Sequence, residues 1–355
     1  MTRRKNMSDI AKIDKNFKIE TEINKPDIAF YDTRVAPFKI YGIFYEDGQF
    51  RRMPKAAAGS VSDGVYALHT NTAGGRVRFK TDSPYVAIKA KMSSVGLMSH
   101  FALCGSAGFD LYEGTVHFSS FRPPFDIKDG FEQVIELGAS KMRDITINFP
   151  LYSNVSELYV GLSESAQICA PSPYANEKPV VYYGSSITQG GCANCAGTSY
   201  QDFISRELNL DYINLGFSGN ARAEDTMINY IKSLDMSMFV YDYDHNAPNY
   251  EHLKNTHEKM FIAIREAQPT LPIIIMSRPK TQLNDTEIKR MELIRATYEN
   301  AINRGDKNVY FLDGPTLMAI SGTDGLVDEA HPTDLGFFSI AKAIVKVIKD
   351  NNVAF

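Results

Sequence analysis

The sequence of 355 residues contains no tryptophan, although it holds 19 tyrosines and 21 phenylalanines. Any sugar-stacking platform must therefore be built from Tyr or Phe. Its four cysteines, Cys104, Cys169, Cys192 and Cys195, are too few for a disulfide framework at this length. Cys192 and Cys195 have redox or half-zinc spacing, but a tetrahedral zinc site needs two more ligands and no second such pair exists. A structural or incidental role is the expectation for the pair, with a local disulfide or redox sensitivity as the alternative. No apolar run approaches the length of a membrane span, and no amphipathic membrane-binding segment stands out, so no membrane insertion is expected. The formal net charge of -4 supplies no basic field for nucleic acid. The basic start at Met1-Thr2-Arg3-Arg4-Lys5 has no apolar stretch behind it and does not read as a signal peptide. A cytoplasmic location is the default expectation, and a periplasmic or secreted one stays open if the chain is a mature or engineered form.

At 44% hydrophobic and 23% charged residues the composition is that of an ordinary globular protein, and the length suits two domains. Residues 1–30 are polar and without firm period, which predicts an extended lead-in. Residues 31–170 hold short alternating runs such as Arg76-Val77-Arg78-Phe79-Lys80 and Asp144-Ile145-Thr146-Ile147-Asn148-Phe149, separated by turn residues. Period-two alternation buries one face of each strand, and no long helical period interrupts it, so a β-sandwich of jelly-roll type is expected. Residues 171–179 carry Pro171, Pro173 and Pro179 in a polar stretch and read as a linker. From residue 180 to 355 apolar strand-like runs alternate with helical periods. That pattern predicts a parallel sheet covered on both faces, a three-layer α/β/α domain of flavodoxin-like order.

The first strand of this second domain, Val180-Val181-Tyr182-Tyr183, stops at Gly184-Ser185-Ser186 and a helical period follows from Ser199. A strand, tight turn and helix place Ser186 at the carboxyl edge of the sheet, where open α/β folds keep their chemistry. A serine hydroxyl is a weak nucleophile until a base takes its proton. The candidate base lies in Asp328-Glu329-Ala330-His331-Pro332. Asp and His three residues apart share one face of a turn, so Asp328 can hold the His331 imidazole in the tautomer that leaves its other nitrogen free for Ser186. Taken singly, each motif is more often a plain loop or a helix cap; their joint placement at strand ends is what counts.

Gly184-Ser185-Ser186-Ile187-Thr188-Gln189-Gly190 and the Asp328-to-Pro332 stretch resemble the first and last blocks of the SGNH hydrolases, also called GDSL esterases. Asn214-Leu215-Gly216-Phe217-Ser218-Gly219-Asn220 resembles the second block and Asp244-His245-Asn246-Ala247 the third. The resemblance implies an oxyanion hole made by the backbone N–H groups of Ser186 and Gly219 with the Asn246 side chain. Ser185, Asp244 and Ala247 depart from the family pattern. Gly108-Phe109-Asp110-Leu111-Tyr112 resembles the Gly-x-Asp-Leu-Tyr signature of an N-terminal domain that precedes some SGNH hydrolases.

The resemblance further implies an esterase that needs no metal or organic cofactor and acts on a small-molecule or glycan ester, with O-acetyl carbohydrate as the leading expectation. A short-chain ester, thioester or lipid esterase is the alternative, and a carbohydrate-binding protein with a weak site is the reading of another class. His245 reads as a loop histidine supporting the site, with a competing base or substrate contact as the alternative, and Arg278 as a contact for an anionic or polyhydroxy substrate or else a solvated rim charge. Asp242 and Asp244 lack the phosphate-cradling loop of a magnesium site. His100 and Asp110 read as turn and surface residues.

Overall fold

The computed structural model describes residues 19–355, and residues 1–18 of the expected lead-in lie outside that range. The chain opens with strand β1 (Ile28–Asp32), so pairing begins inside the stretch expected to be lead-in. Just before it, Thr21 donates to Glu132 at 3.0 Å and Lys25 pairs with Glu136 at 2.8 Å.

Strands β2 (Lys39–Tyr41), β3 (Phe44–Glu46), β4 (Gln49–Arg51), β5 (Arg76–Thr81) and β6 (Tyr85–Ser94) follow. Next come β7 (Phe109–Glu113), β8 (Val116–Phe121), β9 (Gly130–Glu136), β10 (Arg143–Asn148), β11 (Asn154–Ser163) and β12 (Ile168–Cys169). They form two larger antiparallel sheets, in the orders β1-β11-β6-β9 and β12-β5-β10-β7-β8 with β2 added to β5, while β3 and β4 pair with each other as a separate two-stranded ribbon. Val77, Phe79, Ile145 and Ile147 from one sheet meet Val86, Ile88, Leu158 and Val160 from the other in a single apolar core, which makes this half a β-sandwich.

Two helices, α1 (Lys55–Val61) and α2 (Asp63–Leu68), interrupt the strands where none were expected. Each is shorter than two full turns, so neither shows a readable apolar period. Ser62 joins them by accepting from the Val65 N–H at 3.2 Å, and Ala58 and Val65 pack into the core of the second half. A further short helix, α3 (Leu103–Ser106), precedes β7.

The stretch between the halves is packed down. Arg78 lies 4.2 Å above the Tyr174 ring, and Asn176 donates to the Asp211 and Lys178 carbonyls.

The second half carries β13 (Val180–Gly184), β14 (Tyr212–Gly216), β15 (Met238–Asp242), β16 (Ile273–Met276) and β17 (Val309–Leu312), all parallel, in the order β14-β13-β15-β16-β17. Helices α4 (Ser186–Gln189), α5 (Tyr200–Leu208), α6 (Asp225–Lys232), α7 (Tyr250–Ala267), α8 (Asp285–Asn303), α9 (Gly314–Leu317) and α10 (Asp334–Asp350) connect and cover them. The β13 pleat explains its uniformly apolar sequence: Val181 and Tyr183 enter one core, Val180 and Tyr182 the other. The chain runs from β13 to its neighbour β14 and then crosses back to β15 on the other side of β13. The cleft at this switch point is where such sheets bind ligands.

Candidate active site

β13 delivers Ser186 to that cleft. Ser185 adopts extended backbone and caps α4, its hydroxyl accepting from the Ile187 N–H at 3.2 Å. Serine thus fills the capping role at a position where the resembled block carries aspartate. Ser186, 9% exposed, begins the helix. Its Oγ lies 2.9 Å from His331 Nε2, and His331 Nδ1 lies 2.8 Å from Asp328 Oδ2.

The Asp328 turn is fixed from within. Oδ1 accepts from the backbone N–H groups of Ala330 and His331 at 2.8 and 2.7 Å, and Val327 N–H donates to the His331 carbonyl at 2.8 Å. Partial burial pushes the Asp328 carboxyl up, but these hydrogen bonds and the imidazole outweigh it and leave the group at about 2. Asp328 is therefore a carboxylate across the working pH range, able to hold the Nδ1 proton. Immediately beyond, Thr333 caps α10 through its hydroxyl.

The three donors expected to bind an oxyanion have no hydrogen-bond partner among the described residues: the backbone N–H groups of Ser186 and Gly219 and the side-chain NH2 of Asn246. Gly219 has φ +70° and open space where a Cβ would stand. Asn246 Oδ1 accepts from Ala221 N–H at 3.2 Å, which ties the loop after β15 to the loop after β14 and leaves the amide nitrogen as the end of the side chain not engaged in that bond. Gln189 braces the Ser186 turn on two sides. Its Oε1 accepts from Ser218 N–H at 3.0 Å, and its Nε2 donates to Asn71 of the sandwich at 2.9 Å.

Two residues named from the sequence take other places. Arg278 does not reach the cleft as a free cation. Its guanidinium bonds Asp244 at 2.8 and 3.2 Å and Glu287 at 3.1 Å, while Arg290 holds the other side of Asp244 at 2.7 Å. Burial would raise the Asp244 carboxyl, but the two guanidiniums keep it at about 2. This network gives Asp244 two guanidinium partners at a block position where the family pattern differs, and it holds Arg278 between two carboxylates. His245 has its Nε2 enclosed without a partner, and burial followed by the Arg278 charge lowers its pKa to about 4. It makes no hydrogen bond to Ser186, whose Oγ lies against His331 Nε2 instead.

Asp110 is not a surface residue. Fully buried, it accepts from Gly197 N–H at 2.7 Å and from Ser120 at 2.9 Å, and burial pushes its carboxyl up to about 6. Tyr112 donates to the Gly197 carbonyl at 3.2 Å. The Asp-Leu-Tyr stretch of the sandwich therefore clamps the loop that follows α4. From the same half, Tyr152 donates to the Ser186 carbonyl at 3.3 Å, and the His100 ring stands 5.8 Å from that of His331. The sequence offers no local signal for either placement, because both are contacts between distant segments. All four cysteines are free thiols.

The GDSL-like lipase/acylhydrolase family is matched over residues 177–349, and the N-terminal domain of SGNH-hydrolase-type esterases over residues 28–168. No curated protein matches the sequence. Among solved structures, a Bacteroides ovatus protein described as a GDSL-like lipase superposes with a TM-score of 0.81 at 24% identity, covering 92% of this chain and 99% of its own. The salicylyl-acyltransferase SsfX3 from a tetracycline biosynthetic pathway gives 0.76 at 18% identity over 93% of this chain and 99% of its own. A family two carbohydrate esterase from Clostridium thermocellum, in complex with cellohexaose, gives 0.60 at 13% identity over 89% and 99%. At such identities these neighbours speak for the fold alone.

Proposed function

The chain is an ester hydrolase of the GDSL-like lipase/acylhydrolase family with the N-terminal domain of SGNH-type esterases, and we propose that it removes O-acetyl groups from carbohydrate using Ser186 as nucleophile. The observation that carries this reading is the hydrogen-bonded chain from Ser186 Oγ through His331 to Asp328. In the first half-reaction His331 Nε2 takes the hydroxyl proton while Oγ attacks the ester carbonyl carbon. Asp328 holds the Nδ1 proton and supports the imidazolium that forms. The N–H groups of Ser186 and Gly219 and the Asn246 amide receive the oxyanion, and loss of one such donor costs about 3 kcal/mol in the barrier. His331 then gives its proton to the leaving alcohol. Water repeats the sequence on the acyl-serine, releasing the acid and restoring the hydroxyl.

Carbohydrate as the alcohol is supported by the fold neighbours named as carbohydrate esterases, one of them crystallised with cellohexaose. The test is release of acetate from 4-nitrophenyl acetate and from a panel of acetylated glycans. Ser186→Ala should lose activity by a factor on the order of 10⁶ and Asp328→Asn by about 10⁴, with circular dichroism unchanged. Retained activity in Ser186→Ala overturns the mechanism. Cleavage of simple esters without any glycan overturns the substrate assignment alone.

A further inference from the structure

Cys192 lies six residues past Ser186, buried and with a left-handed backbone at φ +74°. Its neighbour in the sequence pair, Cys195, turns elsewhere, with Sγ 3.7 Å from Ser120. Beside Cys192 stand two histidines from distant parts of the chain. His100, Cys192 and His331 each present one ligand atom, and these atoms lie within 4.8 Å of one another. His100 is exposed and makes no hydrogen bond among the described residues. His331 has its Nδ1 bound to Asp328, which leaves Nε2 as its ligand atom.

We propose that His100, Cys192 and His331 form a binding site for a divalent metal of the zinc class, and that occupancy stops hydrolysis. Thiolate and imidazole select Zn²⁺ over Mg²⁺ and Ca²⁺, which prefer oxygen. Tetrahedral zinc brings its ligand atoms to separations on the order of 3.5 Å, so the cluster closes by roughly 1 Å, and the exposed His100 is the member free to move. Coordination releases the thiol proton to solvent, and water fills the fourth position. Asp328 serves as the outer partner of the metal-bound imidazole, as carboxylates do in histidine–zinc sites. The metal takes the same Nε2 lone pair that receives the Ser186 proton. The carboxylate that orients a base thus orients a ligand, and the two states exclude each other.

The inhibitory half of this inference rests on His331 as the base; the binding half does not. Calorimetric titration with ZnCl2, on the full chain and on its His100→Ala and Cys192→Ser variants, tests the site without reference to turnover. One zinc per chain is expected, with affinity falling by about tenfold or more in each variant. Co²⁺ should give thiolate-to-metal charge-transfer absorption that Cys192→Ser lacks. Hydrolysis by the unmodified chain should fall with zinc occupancy, recover on chelation and ignore Mg²⁺, while each variant should retain its own zinc-free rate at zinc concentrations that silence the parent. Because His100 is exposed, its replacement leaves the core intact even if Cys192→Ser folds poorly. Equal zinc affinity in the parent and His100→Ala overturns the site. Binding through both residues with turnover undiminished overturns the inhibitory half, because His331 is then not both the metal's ligand and the base.

Discussion

Asp242 ends β15 with both carboxylate oxygens enclosed and without a hydrogen-bond partner, at 1% exposure. Burial, reinforced by the charge of Asp244, raises its pKa well above 3.8, and Arg278 offsets only part of this. The folded chain therefore keeps a proton on Asp242 that the unfolded chain loses near pH 4. A carboxyl with a raised folded pKa makes stability fall as pH climbs from its unfolded value towards its folded one, because the native state then binds the extra proton. Asp242→Asn supplies a neutral group of the same shape. Thermal melts should show the variant more stable than the parent at pH 7, with the difference shrinking towards pH 4. A large loss of stability at pH 7 would mean that the group is ionised and held by a partner. The sequence shows Asp242 and Asp244 as alternate carboxylates of one strand end, but their opposite states depend on Arg278 and Arg290, which lie 34 and 46 positions beyond Asp244. Ser186, Asp328 and His331 were legible because each sits in a short run whose local geometry follows from a strand end or a turn.

At the scale of elements, the strands and helices of the second half were readable because a buried parallel strand and an amphipathic helix differ in local period. Helices α1 and α2 escaped because their Ala-rich and Gly-containing turns are too short for a period to declare itself. Close approach between elements is equally hidden. A Cβ placed on Gly216, at the end of β14, would lie 2.1 Å from Gln189 N and 2.6 Å from its Cα. That glycine lets α4 rest directly on the end of β14. Gly216→Ala must push the helix that carries Ser186 outward, and displacement of about 1 Å costs on the order of 10²-fold in rate. Steady-state kinetics should show the loss in kcat with the far-UV circular dichroism spectrum preserved. Unchanged kcat would mean that the turn absorbs the methyl without moving the nucleophile.

For the whole molecule, the two halves share one interior, and no local pattern announces this. Arg52 from the sandwich half is 1% exposed and donates to the carbonyls of Leu68 and Asn71 on its own side and of Asn214 and Gly216 across the boundary. Its guanidinium lies 4.9 Å from the Phe217 ring. The planar five-donor fork suits an array of carbonyls that a lysine could not satisfy. Phe101 and Leu151 enter one core of the parallel-sheet half, and Met53, Ala58 and Val65 enter the other. The nucleophile turn is braced by Asn71, and the loop after it by Asp110. Unfolding should accordingly be a single transition, with circular dichroism and tyrosine fluorescence coincident in urea. Arg52→Leu leaves four carbonyls, three of them in buried contacts, short of a donor and should cost on the order of 3 kcal/mol in that transition. Residues 171–355 produced alone should show no cooperative unfolding, because separation bares the faces that Met53, Val65 and Leu151 cover. If that fragment instead melts sharply and hydrolyses esters at the rate of the full chain, the sandwich is a passenger, and the bracing through Asn71 and Asp110 has no part in holding Ser186.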